Sequence, residues 1–170
     1  MMKELRNEQG FTLVELLLYV GVVVVIISGV TGLAFLMLET RVKTQAMNEV
    51  NYQGERIVEI ITQTVRNAEG INSPTKQGSS GSLSVDVLDA GDDPTVFDSS
   101  GGSVTIQEGG AGTIALSNNH VSVSNLVFSN NGLTDAPDSI QFSFQLNFNN
   151  PEGRNEYSYS KTFNGTASVR

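Results

Sequence analysis

Hydrophobic and polar positions divide the chain into three regimes. Residues 16–38 are almost uniformly apolar and include no charged side chain. At the ~1.5 Å rise of an α-helix such a run covers ~35 Å, enough for the ~30 Å hydrocarbon core of a bilayer. From Glu39 the apolar positions thin to a stripe. Val50, Ile57, Ile60, Ile61, Thr64, Val65 and Ala68 include the i, i+3, i+4, i+7 spacing of one buried helix face, with Gln63, Arg66 and Glu69 on the polar side. Neither proline nor a strong turn signal interrupts this pattern before Gly70, which is placed to close the helix as a left-handed C-cap. One helix of roughly 55–60 residues is expected, far beyond the usual ~8–20.

Beyond a Ser/Gly/Thr-rich connector over residues 71–81, which contains Pro74, the period changes to two. Short strands are predicted at residues 83–88, 103–107, 113–116 and 121–128. The clearest strand covers residues 140–148, where Ile140, Phe142, Phe144, Leu146 and Phe148 all face one way. Its expected partner is residues 156–163, joined through 149–155 as an antiparallel hairpin with one wet face. The apolar face should lie against Ile57, Ile61 and Val65. The fold class is therefore α+β, a long N-terminal helix packed on a C-terminal antiparallel sheet.

Composition narrows the chemistry. A chain of 170 residues has room for the apolar helix and one modest domain. Without cysteine it forms neither a disulfide nor a thiolate zinc site, and its one histidine, His120, excludes a site built from several imidazoles. The net charge of −8 is concentrated after the helix, where residues 71–170 hold 10 acidic side chains against Lys76, Arg154, Lys161 and Arg170. Nucleic acid, whose binding displaces counterions with basic patches, is not an expected partner.

Glu15 stands at the entrance to the apolar run, with no cation close to it in the local sequence. A charge at the centre of a spanning helix costs roughly 2.5–3.5 kcal/mol, and less near the interface. From the residues alone, its carboxylate either stays among the head groups or meets a cation from elsewhere. Residues 19–37, Tyr19 among them, read as interchangeable apolar volume. Ser28 and Gly32 form a small-xxx-small pair suited to close helix approach.

The string Gly10-Phe11-Thr12-Leu13-Val14-Glu15 and the apolar residues after it closely resemble the processing site and N-terminal helix of bacterial type IV pilins and type II secretion pseudopilins. The resemblance implies that a prepilin peptidase cuts between Gly10 and Phe11 and methylates the new Phe11 amine. Glu15 would then face the terminal amine of a neighbouring subunit in the assembled filament. It also implies a cytoplasmic leader over residues 1–10, a membrane and assembly helix over 11–38, its amphipathic continuation over 39–70, and an exported sheet domain over 71–170. The segment ERIVEIITQTVRNAEGI is similar to the corresponding part of minor pilins and of J-class pseudopilins. The expected role is that of a structural subunit, with other pilin or pseudopilin subunits, prepilin peptidase and the cytoplasmic membrane as the implied partners. Two departures stand out: the C-terminal disulfide loop of many Gram-negative major pilins is absent, and Gly replaces the proline that many of them carry in the helix.

Other motifs add little chemistry. Asp89, Asp92 and Asp93 offer oxygen ligands of the kind Ca²⁺ takes, but lack EF-hand spacing, so a solvated turn is preferred and neither metal nor cofactor is expected. Asn164-Gly165-Thr166 matches a glycosylation sequon and equally a tight turn. His120 reads as a turn residue at a strand start, since no nucleophile elbow accompanies it, and the chain is not expected to be an enzyme. Two alternatives stand beside this reading: an anchored surface-binding module that does not polymerise, and, less favoured, a tethered hydrolase.

Overall fold

The structure, a computed structural model, describes residues 11–134, 136–151, 153 and 157–169, the side chain of Glu39 excepted. Helix α1 runs Leu13–Asn67. The chain divides into two compact units between Arg41 and Val42.

The first unit is the apolar part of α1. Thr12 opens it as an N-cap, its Oγ1 accepting the Glu15 N–H at 3.3 Å while its carbonyl accepts Leu16 N–H at 3.2 Å. Residues 11–38 are all exposed. The hydroxyls of Ser28 and Thr31 donate to the carbonyls of Val24 and Ile27, each at 2.8 Å. This turns polar groups back onto the helix and leaves an apolar exterior, as a hydrocarbon environment demands.

In the second unit, α1 from Val42 onward joins two antiparallel sheets, with nine strands among the described residues. Strands β1 (Ala68–Ser73), β3 (Leu83–Val87), β4 (Thr95–Ser100), β5 (Ser103–Glu108) and β6 (Ile114–Ala115) form one sheet in the order β1-β3-β4-β5-β6. Strands β2 (Ser79–Ser80), β7 (Val121–Asn130), β8 (Ser139–Phe148) and β9 (Ser160–Ser168) form the other, in the order β2-β7-β8-β9. A single apolar cluster joins Val50, Ile57, Ile61 and Val65 to residues of both sheets, among them Val85, Phe97, Phe128 and Phe144. Gln63 and Arg66 are exposed, as the helical stripe predicts, and Glu69, expected on the same helical face, is exposed in β1 instead.

Two glycines admit rings into this core. A Cβ on Gly54 would collide with the Phe163 ring, and one on Gly165 with the Phe142 ring. Phe163 also stacks on Phe144, with centroids 5.5 Å apart, and Lys161 Nζ lies 4.9 Å from its ring centre. Polar clips fix the helix to the strands: Lys161 Nζ donates to Asn51 Oδ1 at 2.7 Å, and Asn118 Nδ2 to Glu49 Oε1 at 2.7 Å.

The structure corrects several boundaries. Gly70 is not a helix cap: α1 ends at Asn67, and Gly70 lies in β1 opposite Asp86. Pairing of Ala68 with Val87 draws the chain into the sheet as soon as the helix ends. The presumed connector therefore contains the end of β1 and all of β2. Strand β4 went unpredicted. The partner of β8 is displaced from 156–163 to Ser160–Ser168, with Phe144 opposite Phe163; Glu156 lies outside the described residues. Asn164-Gly165 is consequently not a turn but mid-strand, where the absent Cβ makes room for Phe142.

Candidate processing and assembly site

Gly10, one side of the expected cut, lies outside the described residues. On the other side Phe11 is exposed immediately ahead of α1, and Glu15 sits in the first helical turn. The spacing of four places Phe11, Glu15 and Tyr19 along one face of the chain. The Tyr19 hydroxyl donates to Glu15 Oε1 at 3.3 Å. The Phe11 and Tyr19 rings meet edge-on, with centroids 6.0 Å apart at 63°. Tyr19, counted in the sequence as apolar volume, thus places a polar group and a ring against the other two residues of this face. The i, i+4 relation to Glu15 was the signal that could have identified it.

The acidic loop has a different organisation. Asp89 Oδ1 accepts the Gly91 N–H at 2.9 Å, and the Asp92 carbonyl accepts Thr95 Oγ1 and Gly109 N, both at 2.9 Å. Asp86 hydrogen-bonds Asp93, and that bond, together with repulsion between the two charges, raises the Asp86 carboxyl above its ordinary 3.8. Asp89, Asp92 and Asp93 shape a turn and its flanks; among the described residues no group of three or more His, Cys, Asp or Glu is placed to hold a metal ion. His120 is exposed and its backbone N–H donates to Asn118 Oδ1 at 3.0 Å, a turn leading into β7.

Residues 5–31 match the family model described as the prokaryotic N-terminal methylation motif. The match covers Gly10, Phe11, Glu15 and Tyr19, and supports a type IV pilin-like, prepilin-type protein. The motif is that of a pilin or pseudopilin-type substrate of prepilin peptidase, and with the apolar helix it fits a membrane-anchored chain. It implies assembly with other pilin subunits. No curated protein and no solved structure matches the chain.

Proposed function

We propose that the chain is a minor structural subunit of a type IV pilus or type II secretion pseudopilus, with assembly rather than catalysis as its activity. Prepilin peptidase cuts between Gly10 and Phe11 and methylates the Phe11 amine. The observation that carries this reading is the methylation motif over residues 5–31, running directly into a helix exposed on every side through residue 38.

Cleavage creates a cation at Phe11 four residues from Glu15. In an apolar surrounding a lone carboxylate is costly, and a neighbouring subunit's terminal ammonium offsets that cost. The subunit begins in the cytoplasmic membrane, leader on the cytoplasmic side and sheet domain exported, and then enters a periplasmic or extracellular filament. The resemblance of ERIVEIITQTVRNAEGI to minor pilins and J-class pseudopilins supports the minor role.

Replacing Glu15→Val in cells that assemble the filament should leave membrane insertion intact or improved, because an apolar side chain inserts more easily. Incorporation should fall, measured as the amount of subunit in sheared filaments. Undiminished incorporation would return Glu15 to the role of a head-group residue.

A second reading, an anchored module that binds a ligand without polymerising, draws support from an open groove of about 700 Å³ along α1 and β9, lined by Glu55, Val58, Glu59, Arg66, Lys161 and Phe163 among others. Normal membrane anchoring with no subunit in any sheared fraction would favour it.

A further inference from the structure

We propose that Tyr19 is a positioning residue for assembly, its phenol holding the Glu15 carboxylate on the helix face shared with Phe11. The proposal rests on the reading of Glu15 as the partner of a terminal amine. It adds the group that orients this carboxylate before the partner arrives.

Among the described residues near Glu15, side-chain hydrogen-bond donors are confined to the hydroxyls of Thr12 and Tyr19. The Glu15 N–H is taken by Thr12 Oγ1, and the Leu16 N–H by the Thr12 carbonyl. Between residues 16 and 27 every side chain except that of Tyr19 is aliphatic or absent, so none of the others can donate. Ser28 and Thr31 lie further along the helix and donate to their own preceding turns. Tyr19 therefore supplies the side-chain donor within this stretch, one turn from Glu15, and reaches Oε1 at 3.3 Å.

The ring contributes separately. Its edge-on contact with Phe11 ties the residue that becomes the new N-terminus to the side chain that holds the carboxylate. A carboxylate has several acceptor positions, so the phenol bond and a neighbour's ammonium can be accommodated together. Orienting the acceptor beforehand reduces the side-chain ordering that association would otherwise require.

The test uses the full chain in filament-assembling cells. Tyr19→Phe keeps the ring and deletes the donor. Cleavage and methylation, read by mass spectrometry, should be unchanged, while the subunit in sheared filaments should fall roughly three- to tenfold. In a Glu15→Val background the same change should have no further effect. The infrared carboxylate band of ¹³C-labelled Glu15 in bilayers should shift in Tyr19→Phe, a signature that loss of ring packing would not produce. Wild-type incorporation by Tyr19→Phe alongside depletion of Glu15→Val overturns the role of Tyr19 and leaves the assembly reading standing. Undiminished Glu15→Val overturns both. If Tyr19→Leu is depleted but Tyr19→Phe is not, the ring acts rather than the hydroxyl, and the proposal fails.

Discussion

Leu16, Ile27 and Leu36 are 57%, 59% and 61% exposed, whereas Val50, Ile57, Ile61 and Val65 on the later part of the same helix are each at 0%. Both stretches are rich in aliphatic side chains. From Val42 onward the chain supplies its own cover, in the strands that contribute Phe97, Phe128, Phe142 and Phe144. Before that point no other described residue covers it, and under the proposed function lipid and neighbouring subunits do. Burying a large apolar side chain contributes roughly 1.5–3 kcal/mol wherever it occurs. In the second unit that gain stabilises the fold, and in the first, under the proposed function, it drives insertion and association.

The most severe way to break this contrast is to place a charge in the covered stripe. A chain starting at Lys43 should fold as a soluble monomer, helped by the excess negative charge of its sheet domain. In it Ile61→Asp should cost more than about 4 kcal/mol and abolish the melting transition, because an unpaired carboxylate enters the core. Gln63→Asp, on the exposed face, should stay within about 0.5 kcal/mol. Thermal melts followed by circular dichroism compare the two, and equal losses would refute the assigned face.

A smaller effect is expected at Gly54. Alanine is favoured over glycine in an exposed helix by about 1 kcal/mol. Here the new Cβ meets the Phe163 ring, so Gly54→Ala should instead destabilise by about 1–3 kcal/mol. Urea denaturation should show Phe163→Leu restoring part of the loss in the Gly54→Ala background. Stabilisation by Gly54→Ala alone would show that the ring gives way freely.

The smallest effect belongs to Asp86. Its raised pKa means that the folded chain retains a proton that the unfolded chain releases near 3.8. Stability should therefore decline as pH rises from about 3.8 through the raised value. Asp86→Asn should flatten that slope and slightly stabilise the domain at neutral pH. Solvent screening keeps the change small. Denaturation between acid and neutral pH would reveal a steeper decline in the parent chain; identical slopes would dismiss the pair.

What the sequence made legible was local. The helical stripe and the alternation of β8 depend on spacing within one element, and both hold in the main: Ile60, Thr64 and Phe148 are only partly buried, and Ala68 is buried from β1 rather than from the helix. The two-sheet arrangement depends on distant partners. Strand β1 follows the helix without alternation of its own and is defined by β3, while β4 carries only the short signal Thr95-Val96-Phe97 between a proline and a glycine pair. The need for glycine at position 54 was not legible, because the ring it admits, Phe163, is remote in sequence. At the candidate site, the Gly10-Phe11 junction and Glu15 were visible because peptidase motifs are contiguous. Tyr19 was hidden by the apolar run around it, its ring counted as volume and its hydroxyl overlooked.

The central claim, that this chain is a prepilin-type subunit matured at one junction, is tested most directly by the mass of its N-terminal peptide. The chain should be isolated from membranes of cells with active prepilin peptidase, beside a Gly10→Val variant. The account predicts a mature chain beginning at a methylated Phe11 and a variant that retains its leader, because the peptidase is expected to tolerate no side chain before the cut. A mature N-terminus at any other residue, or a parent chain that keeps its leader beside an active peptidase, would contradict it.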